Sequence, residues 1–600
     1  MMPKTTSTPS ARSIRAIRSP PLVVSSVARM LRAEGVDVVF GIIDGSYFGL
    51  YSSLGRHGIR LVTPRHESTA AHMAGAYARL TGRLGVCIAS NGPGAANVLP
   101  GIAVENGEGN RVLVITSWRR AAIVGPDRGG TYQYFDQVGV TRPMTKWTGA
   151  AMSFDRVGQT LRRAFRVAHQ GRPGVVHVTV PEDVMNGSFE DGAPVLEPSR
   201  YRRTEPLAPA TADVERAAAL LAGAELPLIH VGSGVVHAGA AGAVAELAQA
   251  LPAPVTASWG GRSAVDDRLP NAIPLLPPLI DEVRTEADVV LALGTRFGET
   301  DWWGKEPYWR APDEQRLIQV DIDEESLGVN KALDVAVLGD IGLVVTQLLT
   351  HIERGGPAVR QAARAARIEA FVTTRGEVDE FLRAVPNGED EAPMHSAHVP
   401  LVCRETFDDD AVLVVDGGNT AVWTNLYHQN RLPGAMLSTN KFGMLGAGIG
   451  QALGAKVAFP DRQVYCILGD GAMGFHPQEL ETAVRHDLPV LFFVLCDRQW
   501  GMVKFGQGMA LDAEAMVEDR SLPAEETINT DFREIRFDAL AESMGAHGER
   551  VARAAELKPA IERSLGSGLC SVIHVDVDSV EHMWAPGLDV FKAMHMEPGG

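Results

Sequence analysis

The stretch that decides the fold is QVYCILGDGAMGFHPQELETAVRHDLPVLFFVLCD, residues 463–497. Two apolar runs, Gln463–Leu468 and Val490–Leu495, flank an amphipathic segment, which is the pattern of a strand, a helix and a second strand. The right-handed crossover of such a unit makes its two strands parallel. Asp470 and Asp497 therefore both follow the carboxyl ends of strands, where open α/β sheets bind ligands.

These two carboxylates are hard oxygen ligands that suit Mg²⁺ or Ca²⁺, with phosphate oxygens, water and a backbone carbonyl completing the shell. The glycines beside the first carboxylate, Gly469 and Gly471, allow the backbone to approach a diphosphate closely. A Gly-Asp-Gly turn also occurs in many plain strand–helix–strand units. From this segment alone, a simple structural turn therefore stays an equal alternative.

The same alternation of strands and helices continues along the chain of 600 residues. It predicts an α/β fold with three doubly wound parallel-sheet domains, at residues 21–190, 207–355 and 398–580. The segments between them are predicted to be linkers, although residues 359–382 have a helical pattern. We expect residues 1–20, which are basic and rich in Ser and Thr, to be a disordered tail rather than a transit peptide. Residues 581–600 are expected to form a C-terminal tail or lid.

The composition excludes several classes of partner. A formal net charge of -17 argues against binding to nucleic acid or to an anionic membrane surface. No apolar run reaches the ~18 residues that a membrane helix needs. The five cysteines are scattered and lack metal-ligand spacing, which fits a reducing compartment, and we expect a cytoplasmic protein.

Two further turns have sequences that suit a ligand site. Residues 416–420, Asp-Gly-Gly-Asn-Thr, follow a predicted strand, and a Gly-rich turn that opens a helix can hold phosphate on its amides. Most such turns are structural only. Residues 64–67, Pro-Arg-His-Glu, place the carboxylate of Glu67 at a helix start, where it is ordinarily a favourable partner of the helix dipole.

Taken together and in this order, these segments resemble the motifs of thiamine-diphosphate (ThDP) enzymes, over most of the chain. The resemblance implies a Mg²⁺ ion held by Asp470, Asp497 and the backbone carbonyl of Gln499. In that family the second strand closes with Asn-Asn, where this sequence has Cys496-Asp497. Asp497 can still ligate a metal ion and adds one negative charge, whereas Cys496 does not reproduce the hydrogen bonds of an asparagine.

The resemblance also assigns residues to the cofactor and to the reaction. Glu67 would hydrogen-bond the aminopyrimidine ring and favour removal of the cofactor's C2 proton. Gln133 would bond a substrate carbonyl or a reaction intermediate, or else is a solvated loop residue. The implied cofactor-binding residues are Gly92, Pro93, Asn97, Gly418, Asn419, Thr420, Gly443, Leu445, Gly469, Gly471 and Met502.

The resemblance has consequences for assembly and for a second cofactor. The activating glutamate and the diphosphate site of this family come from different subunits, which implies a homodimer or homotetramer with active sites at the interface. In the central domain, the turn Gly232-Ser233-Gly234 and the pair Arg296-Phe297 only weakly resemble a nucleotide site. We therefore keep FAD or ADP as an open expectation there.

The overall likeness is to acetolactate synthases, which implies carboligation or decarboxylation of 2-oxo acids. Gly506 stands where those enzymes have a tryptophan that contacts the second 2-oxo acid, and this predicts a larger or differently shaped acceptor. Residues 418–420 look nearer to 2-hydroxyacyl-CoA lyases and oxalyl-CoA decarboxylases, so a 2-hydroxy acid or acyl-CoA substrate is the alternative. A degenerate, non-catalytic homologue is a second alternative, because Asn-Asn is lost.

Overall fold

The computed structural model describes residues 23–125, 129–187, 194–352, 358–384, 386, 388–439, 441–520 and 526–594. Three wholly parallel sheets of six, five and six strands follow one another along the chain. This arrangement confirms the predicted α/β fold of three parallel-sheet domains. The expected tail at residues 1–20 lies outside the described residues. In the described part of the chain, no helix has both the length and the apolar composition needed to cross a bilayer.

The first sheet has the strand order β2-β1-β3-β4-β6-β5. Its strands are β1 Val38–Gly41, β2 Arg60–Val62, β3 Gly85–Ala89, β4 Val112–Trp118, β5 Trp147–Ala150 and β6 Val175–Pro181. Its helices are α1 Val23–Ala33, α2 Phe48–Arg56, α3 Glu67–Thr81, α4 Pro93–Asn97, α5 Leu99–Glu108, α6 Ala121–Val124, α7 Gln137–Thr141, α8 Phe154–His169 and α9 Glu182–Met185. The strands are almost continuously apolar because helices cover both faces of the sheet.

The second sheet has the order β11-β10-β9-β7-β8. Its strands are β7 Pro227–Val231, β8 Val255–Ala257, β9 Val289–Leu293, β10 Arg316–Asp321 and β11 Val335–Leu338. Its helices are α10 Thr211–Gly223, α11 Ser233–His237, α12 Ala241–Ala250, α13 Leu279–Glu286 and α14 Ile341–Ile352, followed by the long helix α15 Ala358–Ala384. Much of the segment that we predict as the second linker is therefore this helix of 27 residues.

The third sheet has the order β13-β12-β14-β15-β17-β16. Its strands are β12 Val412–Asp416, β13 Met436–Ser438, β14 Val464–Gly469, β15 Leu491–Cys496, β16 His547–Val551 and β17 Ser571–Asp576. Its helices are α16 His398–Thr406, α17 Gly418–Tyr427, α18 Ala447–Ala458, α19 Asp470–Met473, α20 Glu479–Arg485, α21 Gly501–Leu511, α22 Ala513–Glu518, α23 Phe537–Ser543, α24 Ala554–Ser567, α25 Ser579–Met583 and α26 Leu588–Ala593. Helix α25 packs on α17 and α21, whereas Val590 and Ala593 of α26 and the following Met594 pack against a core of the central domain.

Helices α3 and α18 pack the first domain directly on the third, and one apolar core runs through both sheets. The contact is close because α18 has glycines where it meets α3. A Cβ on Gly454 would lie 2.4 Å from the carbonyl oxygen of Met73, and one on Gly450 would lie 2.8 Å from the Cβ of His72. Only glycine permits this approach. The packing places the start of α3, with Glu67, beside helix α20.

Candidate active site

The carboxylates of Asp470 and Asp497 lie at the ends of the neighbouring strands β14 and β15, where Gly469 pairs with Leu495. One oxygen of Asp470 accepts the N–H of Gly471 at 2.7 Å, and the other accepts the N–H of Arg498 at 2.9 Å. Burial raises the pKa of Asp470, while these two backbone donors oppose the rise. Burial and the nearby Asp470 raise the pKa of Asp497 well above its ordinary range. Two adjacent buried carboxylates repel each other when both are ionised, and a bound cation relieves that repulsion.

Asn419 faces the same point from the first turn of helix α17. Its side chain is buried, and neither its amide nitrogen nor its amide oxygen has a hydrogen-bond partner in the described part of the chain. A Cβ on Gly501 would lie 2.7 Å from Asn419 Nδ2 and 2.9 Å from Asp497 Oδ2, so the amide and the carboxylate converge. A buried polar group without a partner costs about 1–3 kcal/mol. The residues present therefore fit a polar ligand that carries a cation.

The glycine turns around these side chains leave room for such a ligand. Gly417 has φ 98°, a conformation that favours glycine, and opens helix α17. A Cβ on Gly418 would lie 3.3 Å from the Cβ of Met502, and one on Gly469 would lie 3.2 Å from Thr420 Oγ1. The predicted residues of the third domain that meet at this edge of the sheet are Gly418, Asn419, Thr420, Gly469, Asp470, Gly471, Asp497 and Met502. The helix N-terminus and the glycine amides suit a phosphate.

The remaining predicted residues of the third domain lie in two flanking segments. Gln499 is buried, and its side-chain amide donates to the carbonyl of Ser579 at 2.7 Å. Gly443, with φ 68°, and Leu445 lie in the turn before helix α18. Leu445 packs against the core shared by the first and third domains.

Glu67 is the first residue of helix α3 and is buried. The amide of Asn97 donates to Glu67 Oε2 at 3.1 Å, and a Cβ on Gly94 would lie 3.3 Å from Glu67 Oε1. The turn that contains Gly92 and Pro93 therefore surrounds the carboxylate, as the sequence predicts. In the described residues, no hydrogen bond or ion pair joins Glu67 to Asp470 or Asp497 within one chain.

Gln133 lies next to this turn. It has φ 53°, and Asn91 Nδ2 donates to its backbone carbonyl at 3.2 Å. A Cβ on Gly92 would lie 2.6 Å from the Cβ of Gln133, so only glycine fits at position 92. The predicted residues of the first domain thus form one group, and those of the third domain form another.

Sequence reasoning missed Glu479, which fixes the start of helix α3. Its carboxylate is completely buried and accepts the N–H of Arg65 at 3.0 and 3.2 Å and the hydroxyl of Thr482 at 2.7 Å. Burial raises the pKa of Glu479. Its partner Arg65 lies in another domain, two residues before Glu67, and the local sequence around Glu479 carries no signal of this contact.

Cys496 takes the place of the first asparagine of the family motif, and its contacts are structural. Its thiol is buried, donates to the carbonyl of Val494 at 3.3 Å and lies 3.5 Å from His574 Nδ1. Burial raises the pKa of Cys496 far above its ordinary range, so the thiol is neutral. His574, Asp576 and Glu534 lie close together beyond it, but Arg550 donates to both carboxylates at 2.7–2.8 Å. We interpret that cluster as an ion-pair network.

The space that we predict to be open at Gly506 is occupied by a cation. A Cβ on Gly506 would lie 3.2 Å from Lys592 Nζ, which reaches across from helix α26. The ammonium group donates to the carbonyl of Met502 at 3.2 Å and lies 4.4 Å from the centre of the Phe505 ring. Burial lowers the pKa of Lys592. A positive charge therefore lies beside Gly506.

A cleft of about 1920 Å³ separates the first and central domains. Its arginines are Arg111, Arg166, Arg172, Arg200, Arg202, Arg203 and Arg296. Lys441 lies at one end, is exposed, and donates to Ser233 Oγ at 2.8 Å. The glycine turns of the central domain form its floor, where a Cβ on Gly232 would lie 2.2 Å from the carbonyl oxygen of Gly294. The lining also carries acidic residues, among them Asp321, Asp323 and Glu325, so positive and negative charges are mixed there.

Comparisons with known proteins agree with this geometry. Three family descriptions match in order: thiamine pyrophosphate enzyme, N-terminal TPP binding domain at residues 23–140, central domain at 214–348 and C-terminal TPP binding domain at 416–575. The chain belongs to the thiamine pyrophosphate enzyme family. Thiamine pyrophosphate is another name for ThDP. It is therefore a ThDP-dependent enzyme of the acetolactate-synthase-like group of carboligases.

The similar relatives are large subunits of acetolactate synthase. That of Parasynechococcus marenigrum (strain WH8102) is 30% identical over 582 residues, which cover 94% of this chain and 89% of the relative. The isozyme 2 large subunit of Escherichia coli (strain K12) is 29% identical, with 93% and 96% covered. A probable large subunit of Methanocaldococcus jannaschii is 28% identical, with 96% and 95% covered.

Proposed function

We propose that this enzyme uses ThDP and Mg²⁺ to join or cleave a carbon–carbon bond beside the carbonyl of a 2-oxo acid, as the names of its relatives suggest. The observation that carries the proposal is the buried carboxylate pair Asp470 and Asp497 opposite the unpartnered amide of Asn419. Oxygen ligands at the carboxyl ends of two adjacent strands suit Mg²⁺ bound to a diphosphate.

Each group of residues has a distinct role in this proposal. ThDP, when bound, would supply the chemistry that stabilises negative charge on a carbonyl carbon. Asp470 and Asp497 hold the metal with the Gln499 carbonyl, while the glycine turns and Asn419 hold the diphosphate. Glu67, oriented by Asn97, holds a proton at the aminopyrimidine ring. Gln133, which is next to the turn around Glu67, would orient a substrate carbonyl.

The two groups of residues belong to sites shared between subunits in this proposal. Within one chain, no hydrogen bond or ion pair among the described residues connects Glu67 to the carboxylate pair. A homodimer or homotetramer, in which Glu67 of one subunit faces the diphosphate turns of another, brings them together. The five buried free thiols fit a reducing environment, and we propose that the enzyme is cytoplasmic.

The cleft beside the central domain supports a second ligand in this proposal. The arginines among its mixed charges suit the phosphates of ADP or FAD, and its glycine turns allow close approach of the backbone. An absorption spectrum of the purified protein tests for flavin, and thermal unfolding with added ADP tests for the nucleotide. No flavin absorbance and no thermal shift would contradict a nucleotide in the cleft.

The test of the reaction is turnover of pyruvate with ThDP and Mg²⁺, followed by CO₂ release and acetolactate formation. The expected result is acetolactate from the natural protein and at least roughly tenfold less from Glu67→Gln. Cleavage of a 2-hydroxyacyl-CoA or an oxalyl-CoA, with no pyruvate consumed, would move the substrate to the acyl-CoA class. Failure to bind ThDP at all would indicate a degenerate homologue.

A further inference from the structure

The metal site has one more negative charge than the family motif supplies, because Asp497 stands where the second asparagine is expected. Both carboxylates are buried at the ends of adjacent strands. The two backbone N–H groups that hold Asp470 also fix the direction of its oxygens before any ligand arrives. The oxygen ligands are therefore preorganised.

Among the described residues, no lysine, arginine or histidine forms an ion pair with Asp470 or Asp497. Nearby charged pairs such as Lys504 and Asp531, at 2.7 Å, are instead formed between other residues. A cation bound between two adjacent buried carboxylates is attracted by both of them.

A second observation points to a ligand at the same place. Asn419 is buried, its amide oxygen and nitrogen both lack partners in the described part of the chain, and it converges with Asp497 at Gly501. The atom of Asn419 that converges with Asp497 is the amide nitrogen, a donor that suits an anion bound beside a metal ion. The ligands that the protein itself offers to a cation, before any phosphate joins them, are thus the two carboxylates.

We propose that this site binds a divalent cation in the absence of ThDP, so that the metal is loaded first and the diphosphate joins an occupied site. The proposal rests on the function proposed above and adds an order of binding to it. The cause is the second carboxylate, since affinity for hard cations rises with the number of charged ligands. A site of one aspartate and one asparagine has one charged ligand fewer, so its affinity for the cation depends more on the phosphate oxygens of ThDP.

The experiment uses the full chain after removal of metal and cofactor by a chelator. Free Mn²⁺ is measured by electron paramagnetic resonance while Mn²⁺ is added, first without ThDP and then with it. The natural protein is expected to take up one Mn²⁺ per chain without ThDP. Asp497→Asn is expected to lower the affinity for Mn²⁺ by at least about tenfold in the absence of ThDP. Much of that affinity should return when ThDP supplies its phosphate oxygens.

A thermal readout separates a metal ligand from a structural residue. Asp497→Asn removes the repulsion, so the metal-free variant should unfold at a higher temperature than the metal-free natural protein, and should gain less from Mn²⁺. Asp461→Asn is the matched control, because it removes the same charge from an exposed turn of the same domain. It should leave Mn²⁺ uptake unchanged.

The possible results of the Mn²⁺ titration distinguish the order of binding from the metal site itself. Uptake of Mn²⁺ by the natural protein only when ThDP is present would overturn the order of binding and leave the proposed function standing. Equal uptake by Asp497→Asn and the natural protein without ThDP would also overturn it. Absence of uptake even with ThDP would contradict the metal site itself and overturn both proposals. The measurement on the natural protein decides the order even if the variant does not fold.

Discussion

Replacing Gly501 by alanine should damage the proposed cofactor site while leaving the fold intact. The added Cβ would lie 2.7 Å from Asn419 Nδ2 and 2.9 Å from Asp497 Oδ2, both closer than a methyl group tolerates. These side chains are short and must move away from their convergent positions. Such overpacking typically costs about 1–3 kcal/mol.

The substitution should lower the affinity for ThDP more than it lowers the free energy of unfolding. Gly501 begins helix α21, and alanine favours a helix over glycine by about 0.5–1 kcal/mol, which offsets part of the strain in the cofactor-free protein. Ligand binding then requires Asn419 and Asp497 to return to their positions beside the new methyl group, and this strain lowers the affinity for the ligand. A cost of 1.4 kcal/mol is roughly tenfold in affinity, so we expect about a 10- to 100-fold weaker affinity for ThDP with Mg²⁺.

The assay is calorimetric titration of ThDP in the presence of Mg²⁺, with Gly506→Ala as the matched control. Gly506 lies on the same helix, and its added Cβ would approach only the end of the flexible Lys592 side chain, at 3.2 Å. The control should therefore bind ThDP like the natural protein. Unchanged affinity in Gly501→Ala, or the same loss in both variants, would refute the convergence of Asn419 and Asp497 on a ligand.

Four further outcomes follow from the same contacts. Glu67→Gln should lower turnover about tenfold or more with Mn²⁺ uptake unchanged, as steady-state kinetics and metal titration check. Glu479→Gln should lower the free energy of unfolding by about 1–3 kcal/mol in denaturant melts, since a backbone N–H and a hydroxyl lose a charged acceptor. Lys592→Met should raise KM for a 2-oxo acid with a second carboxylate more than KM for pyruvate, measured by CO₂ release. Burial lowers the pKa of His177 and of His582 to about 3. The free energy of unfolding should therefore be highest above about pH 6.5 and should fall progressively as the pH drops toward 3, which denaturant titrations at several pH values check.

The strand–helix–strand unit around Asp470 could be predicted because its signals are local. Apolar runs and a Gly-Asp-Gly turn identify two parallel strands, and their ends then carry Asp470 and Asp497. The extent of the connecting helix is less well defined by sequence. Asp470–Met473 forms a separate short helix, and α20 begins only at Glu479, where the side chain meets the first domain.

Contacts between distant segments account for what the sequence does not reveal. The amide of Arg65 and the carboxylate of Glu479 meet only after two domains have packed through helices α3 and α18. Lys592 reaches the space beside Gly506 from the far end of the chain. Local patterns report which residues form a strand or turn, whereas these side-chain pairs depend on tertiary packing.

The central claim is that Asp470, Asp497 and Asn419 form the metal and diphosphate site of a ThDP enzyme. The most direct test is a ThDP titration with Mg²⁺ present, followed by circular dichroism, on the natural protein and on Asp470→Ala. The account predicts saturable binding by the natural protein that is lost in the variant although the variant stays folded. Equal binding by both proteins would contradict it.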